Sequence, residues 1–463
     1  MCYVRQIYSA FIVSCLCLNI GILFAWPSST LKLFSSTNTT LNRAMTDTEI
    51  SLFGSLPSFT ALFSTPLSGV LLDVIGRKKC CILFGLPSVI AWTIVSLVSR
   101  VEAILASVCV GGLSGCLLLV APNFISEFSH ESIRGTLTSF GIIFYGIGLM
   151  VSYILGGCLN YEMMNYVCLT ISVFSLLMMS LVKESPVYLM SKDLEKKAAE
   201  SIAFYRSTKQ GSVIVQQEME SIRRTLNQQV DRAPAEEQML KSGNRNPKKP
   251  LWLQFFKKSK STRRGLAIVL ILFSLSIFQG LIVVQVYSEP LFKEALPNMS
   301  ANLTSILFAL LNTISGFVAA YLLDVFGRRP VMIYPSLGTC FFCIALGTQI
   351  QFHWGPAWLK GLFVYAFCIT ATCGAGTVPY VMIPEMFLPE VRGVITMLVI
   401  EWGWLCNFFI LFIFNPFIAV AGLGPVFYVF AFIGLVSAIF CKHYLPETKG
   451  LTVDAIQDIL LVT

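Results

Sequence analysis

Leu71-Leu72-Asp73-Val74-Ile75-Gly76-Arg77-Lys78 and Leu322-Leu323-Asp324-Val325-Phe326-Gly327-Arg328-Arg329 are near copies of one another. Each stretch separates two apolar runs of about 20 residues, the length an α-helix needs to cross the roughly 30 Å hydrocarbon core of a bilayer. Each is therefore a tight polar connection between two membrane helices. Its recurrence in the second half of the chain marks an internal duplication. The echo continues outward: Glu127 precedes Arg134-Gly135 by seven residues and Glu385 precedes Arg392-Gly393 by the same seven. Lys183-Glu184-Ser185-Pro186 and Pro446-Glu447-Thr448-Lys449 close the two halves.

Counting apolar runs on either side gives twelve, near residues 6 to 28, 51 to 72, 80 to 99, 103 to 126, 136 to 159, 163 to 182, 265 to 287, 302 to 323, 331 to 351, 360 to 383, 394 to 417 and 421 to 444. Composition agrees, because 55% of the 463 residues are hydrophobic and only 13% are charged. Such a chain has too little polar surface to cover a soluble fold. The expected class is an all-α membrane protein with twelve transmembrane helices in two six-helix halves. The divisions are 1–182 for the first half, 183–264 for a linker, 265–447 for the second half and 448–463 for a tail. The first apolar run ends in Trp26-Pro27 rather than in small residues, so it reads as a retained helix and not as a cleaved signal. The 15 cysteines have no metal or disulfide spacing, and most sit within apolar runs as small packing residues.

The linker holds 18 of the 33 Lys and Arg, which by the positive-inside rule places it in the cytoplasm. Both termini then fall on that side, as do the connections carrying Arg77, Arg134, Arg328-Arg329 and Arg392. The three Asn-x-Ser/Thr sequons, at Asn38, Asn298 and Asn302, fall in connections on the opposite side and are the candidate glycan acceptors. Within the linker, Leu194 to Tyr205 and Val215 to Asn227 read as short amphipathic helices on the inner membrane surface, followed by a polar stretch from Gln228 to Pro250. Its Lys-rich end faces anionic lipid in this reading.

Asp73, Arg77, Glu127, Arg134 and Glu184 gather at the cytoplasmic helix ends of the first half. Asp324, Arg328, Arg329, Glu385, Arg392 and Glu447 mirror them in the second. Single exposed pairs are worth about 0 to 1 kcal/mol, so a network of several suits a latch of a few kcal/mol that opens in each cycle. One ionisable residue stands away from every helix end. Glu401 lies nine residues beyond Arg392, about 13 Å into the membrane, where a carboxylate is costly and marks a functional site by default. Glu401, Trp404 and Asn407 share one arc of about 120°.

These motifs together resemble the sugar porter family of the major facilitator superfamily, most closely its insect facilitated trehalose transporters. The carriers are the two D-x-x-G-R-[KR] connections, the E-x6-R-G pairs, the Glu184-Ser185-Pro186 segment, the terminal Pro446-Glu447-Thr448-Lys449-Gly450, and the Ala25-Trp26-Pro27-Ser28 end of the first helix. The resemblance implies a major facilitator fold, a multi-pass position in the cell membrane, and a sugar or polyol as small-molecule substrate. It implies sugar-site positions at Asn312, Trp404 and Asn407, with Tyr380 where many members have Trp. It also exposes departures: Ile142, Ser276, Ile277 and Ile282 stand where members carry amide side chains, and Ser107 where they carry Arg. Gln279 lies one turn from a lost amide and is a candidate replacement, as is Glu401.

No acid lies between Arg5 and Lys32, where proton-coupled members carry an Asp, so facilitated diffusion is the expected mode. Coupled transport through Glu401 and a non-transporting sensor with a decayed site are the alternatives. Enzyme chemistry is not expected, since no HExxH pair, GxSxG elbow or phosphate-binding glycine loop occurs. Nor does any feature call for a catalytic residue, metal, cofactor or nucleic acid.

Overall fold

The structure is a computed structural model that describes residues 3–37, 39–232, 260–295, 300–387, 389–451, 455–456 and 459–460. Twelve helices in it are long and apolar enough to cross a membrane. In chain order, spans 1 to 6 are Val4–Ser35, Asp47–Ile75, Arg77–Leu97, Val101–Phe128, Glu131–Cys158 and Tyr161–Leu181. Spans 7 to 12 are Lys260–Phe278, Asn302–Phe326, Arg328–Phe352, Ala357–Ile383, Gly393–Ala421 and Leu423–Tyr444. Large apolar side chains such as Phe63, Leu177, Phe341 and Phe432 are exposed on the outside of the bundle. A surface of that kind is stable against lipid rather than water.

Each half is its own bundle. In the first, span 1 packs on span 5, span 3 on spans 4 and 6, and span 2 on span 4. In the second, span 9 packs on spans 10 and 12, span 7 on span 11, and span 8 on span 10. Spans 2 and 11, and spans 5 and 8, join the halves along two edges.

Span 7 is not the single helix that its apolar run, 265 to 287, suggests. It stops at Phe278, and two short helices follow, Leu281–Val286 and Ser288–Ala295. The break falls on Gly280, whose φ of +92° suits glycine, and a Cβ there would lie 2.3 Å from the Phe430 ring of span 12. Span 10 breaks likewise, between Cys373 and Val378, over Gly374-Ala375-Gly376-Thr377. In span 4 the four residues Leu113–Cys116 tighten into a 3-10 turn. Irregular backbone at membrane depth survives only where protein or a water-filled cavity satisfies it, so these breaks point to the centre of the bundle.

In the linker, helices occur at Glu195–Arg206 and Val213–Arg232. The first of them packs on the six-helix bundle. Tyr205 stacks on Phe128 at 4.5 Å, its hydroxyl donates to the Lys183 carbonyl at 2.6 Å, and Gln6 donates to the Tyr205 carbonyl at 3.3 Å. The first linker helix is thereby bound to spans 1 and 4 of the first half. The polar stretch expected at 228 to 250 lies outside the described residues from 233 onward, as does the Lys-rich end to residue 259.

Candidate functional site

The duplicated connections build one device twice. Gly76 and Gly327 take φ values of +98° and +91°, which lets one helix end and the next begin without a loop. The glutamate that closes each half lies against that glycine: a Cβ on Gly76 would sit 2.6 Å from the Glu184 carboxylate, and one on Gly327 would sit 2.7 Å from that of Glu447. Glu184 accepts from the Lys78 backbone N–H at 2.9 Å, and Glu447 from those of Arg328 and Arg329 at 2.9 and 3.0 Å. Both carboxylates therefore cap the N-terminus of the following span, where free N–H groups and the helix dipole favour negative charge.

Arg77 and Arg328 complete each device. Arg77 bonds Glu127 at 2.9 Å and the Leu72 carbonyl at 3.0 Å, and pairs with Asp73 at 3.3 Å. Arg328 bonds Glu385 at 2.7 Å and the Leu323 carbonyl at 3.1 Å. Ser185 donates to Glu127, and Thr448 donates to Glu385 at 2.5 Å. These two hydroxyls were not singled out from the sequence. The signal was present, since a hydroxyl residue follows the closing glutamate in both halves.

The ion pairs of the expected latch form inside each half. Among the described residues every one of these ion pairs lies within a half, and none bridges the two. Arg134 and Asp324 are exposed and make no ion pair among the described residues, while Arg329 donates to the Lys442 carbonyl. The side chain of Arg392 lies outside the described residues. The cluster is a staple for each six-helix bundle.

Partly buried Glu447 also gives a pH expectation. Burial pushes its carboxyl up, but N–H donors from Arg328, Lys449, Arg329 and Thr448 outweigh this and hold it below the usual range. A carboxyl lowered on folding contributes stability that is present above its unfolded value of about 4.3 and lost as pH falls through the folded value. Glu447→Gln is expected to lower the thermal midpoint at neutral pH and to flatten its acid dependence, as read by a thermal-shift series between neutral and acid pH.

The halves meet on the face opposite these staples. Ser28 and Ser288 bring their hydroxyl oxygens to 2.6 Å, Glu289 donates its backbone N–H to Ser28 at 2.9 Å, and Tyr153 donates to the Gln285 carbonyl at 2.6 Å. Asn302 lies in the first turn of span 8 with its amide against Gly157 of span 5, where a Cβ on the glycine would sit 2.8 Å away. It is thus a helix residue at a contact between the halves. Asn38 and Asn298 lie outside the described residues.

Toward the basic face fewer contacts between the halves are described. Open space surrounds Gly135, Gly316 and Gly393, and Ile142 is 70% exposed although it belongs to span 5. Spans 2 and 11 stay in touch as far as Gly69 and Met397. The hydrogen bonds that join the halves at Ser28–Ser288, Glu289–Ser28 and Tyr153–Gln285 all lie on the face opposite the staples.

Around the helix breaks stand the candidate site residues. Asn312 accepts from Thr372 at 2.5 Å, which ties span 8 to span 10 just before its break. Tyr380 is half exposed, with its ring 5.1 Å from Phe273. Trp404 is buried under the other half, its ring 5.8 Å from Phe24. Asn407 is half buried. Gln279, at the span 7 break, is fully buried with neither amide atom hydrogen-bonded, and the Ser276 hydroxyl and Glu401 Oε1 are likewise buried and unpartnered. Buried polar groups are nearly always paired, so three orphaned groups on spans 7 and 11 mark a place completed by something else. Ser107, at the position implied for an Arg, is buried and bonds its own helix at the Ile104 carbonyl.

Two six-helix bundles, stapled alike and bonded to each other on the opposite face around broken helices, fit the architecture of a membrane transporter. The family model for sugar (and other) transporters matches residues 16–460, and the chain belongs to that family. It is 26% identical to the facilitated trehalose transporter Tret1 of Apis mellifera ligustica, over 99% of this chain and 88% of that one. It is 26% identical to Tret1 of Bombyx mori, over 98% and 86%, and 25% identical to Tret1 of Drosophila yakuba, where 98% of this chain spans about half of the relative, 51%. The inward-open structure of the E. coli xylose transporter XylE matches with a TM-score of 0.77 at 18% identity, over 99% of this chain and all of that one. XylE bound to 6-bromo-6-deoxy-D-glucose matches at 0.71. The fold is that of the major facilitator superfamily.

Proposed function

We propose that this chain carries a sugar, such as trehalose, a hexose or a related polyol, down its gradient by alternating access. It is a carrier and not an enzyme. The observation that supports this most is that two separately stapled bundles are bonded to each other, at Ser28–Ser288 and Tyr153–Gln285, on the face opposite their staples. Two rigid halves rocking about such a site expose it to each side in turn. Asn312, Tyr380, Trp404, Asn407, Gln279 and Glu401 are the substrate ligands in this reading, with the orphaned Gln279 and Glu401 supplying bonds that Ile142, Ser276, Ile277 and Ile282 do not. The absence of an acid in the interior of span 1 favours downhill movement. Intact staples in both halves favour a working carrier over a sensor with a decayed site.

Uptake of labelled trehalose and glucose by cells expressing the chain, against vector-only cells, tests the reading. Saturable uptake of either sugar is expected. No uptake of either, with the protein verified at the cell surface, would overturn it.

The proposed orientation puts the basic face, the linker and both termini in the cytoplasm of a multi-pass cell-membrane protein. Asn38→Gln and Asn298→Gln are then expected to raise gel mobility in a eukaryotic host. Asn302→Gln is expected to leave it unchanged, because that amide packs against Gly157. Resistance of the wild-type band to peptide-N-glycosidase would contradict the orientation.

A further inference from the structure

Glu401 is the only Asp, Glu, Lys or Arg in the spans that stands away from their end turns. Its neighbours on the same helix face fix where it looks. Met397, four residues earlier, meets Gly69 of span 2. Trp404, three residues later, meets Phe24 of span 1 and Gly115 of span 4, and Phe408 meets Phe59 of span 2 at 5.2 Å. Residues three, four and seven apart share a helix face, so Glu401 faces the opposing half. One carboxyl oxygen is buried without a partner, while the residue as a whole is only half buried. Spans 1, 2, 4, 7 and 12, which surround this stretch, hold their Asp, Glu, Lys and Arg in their end turns, and among the described residues no cation pairs with Glu401.

The unmet need that carries a charge here is that of the carboxylate. Glu401 Oε1 is an acceptor that lacks a donor, both amide atoms of Gln279 lack partners, and Trp404 presents an aromatic ring one turn from the carboxylate. A hydroxyl donates one hydrogen bond and can accept others, which suits the amide, but it brings no charge to the carboxylate. An ammonium offers three donors, a charge that meets the carboxylate, and attraction to an indole face within about 6 Å. We infer that the substrate bears a protonated amine, an amino sugar or amino polyol, with its ammonium held by Glu401 beside Trp404. This rests on the sugar-carrier reading and narrows its substrate class.

The test is uptake of labelled glucosamine alongside glucose and trehalose at mildly acidic pH, where the amine is protonated. Cells express the full chain, as wild type, Glu401→Gln or Glu401→Asp, each normalised to surface protein. Wild type is expected to favour glucosamine. Glu401→Gln should lower the glucosamine-to-glucose uptake ratio about tenfold, the loss of one charge-assisted hydrogen bond, and Glu401→Asp should retain part of it. An unchanged ratio in Glu401→Gln would overturn the inference and leave the sugar carrier standing. Loss of all uptake in Glu401→Gln, with wild-type uptake abolished by a protonophore, would give Glu401 a proton instead of an amine and overturn it too. No uptake of any of the three sugars by surface-expressed wild type would remove the sugar-carrier reading itself.

Discussion

Arg328→Ala is expected to destabilise the second half more than any other single change on the basic face. Arg328 neutralises Glu385 at 2.7 Å and closes the end of span 8 through the Leu323 carbonyl. Removing it leaves Glu385 only a quarter exposed, with Thr448 as its remaining partner in the staple. Breaking a fully buried pair costs about 3–5 kcal/mol and an exposed one about 0–1, so about 2–3 kcal/mol is expected for this partly shielded site. The thermal midpoint of the purified protein measures it. Arg328→Ala with Glu385→Gln should cost less than the two single changes summed, because the second change removes the stranded charge. Arg77→Ala should reproduce the effect in the first half, where Glu127 and Ser185 stand in for Glu385 and Thr448. A null effect at both arginines would contradict the staple.

Locking the sealed face is expected to abolish transport. The Ser28 and Ser288 hydroxyl oxygens lie 2.6 Å apart, so Ser28→Cys with Ser288→Cys places two sulfurs within bonding reach across the halves. Oxidation should stop uptake and a reducing agent should restore it, while each single substitution remains active under both conditions. If the oxidised double variant is shown to be cross-linked and still transports at the wild-type rate, the sealed face does not open during the cycle.

Much of this architecture could be read from the chain. The repeated Leu-Leu-Asp-Val connection and the twelve apolar runs carry it, because a run of about 20 apolar residues has one stable solution in a bilayer. The staples were legible as charges at matching positions. Whether they bridge the halves or hold each together was not, since that depends on which helix ends approach, and spacing along the chain does not record it. The break in span 7 was hidden for a related reason. Its apolar character continues through Gln279-Gly280, and what stops the helix is a glycine at positive φ meeting Phe430, which is 150 positions further on. The contact of Asn302 with Gly157 likewise joins two halves that the sequence treats separately.

For the site the balance differs. Glu401 was conspicuous because it is charged where charge is costly. Gln279 was found only as a possible replacement, and its burial with both amide atoms unpartnered is a fact of packing. Ser28 and Ser288 carried no signal, because serine in an apolar helix commonly bonds its own backbone and nothing in the chain marks a partner in the other half.

Counterflow in proteoliposomes puts the central claim to the most direct test, with purified protein in vesicles that have equal pH and equal ions on both sides. Vesicles preloaded with unlabelled substrate should take up labelled substrate in a transient overshoot, since a carrier that returns loaded moves faster than one that returns empty. That result requires a site exposed to each side in turn and no ion gradient. Uptake that appears only when a proton gradient is imposed, or none with either vesicle, would contradict facilitated alternating access.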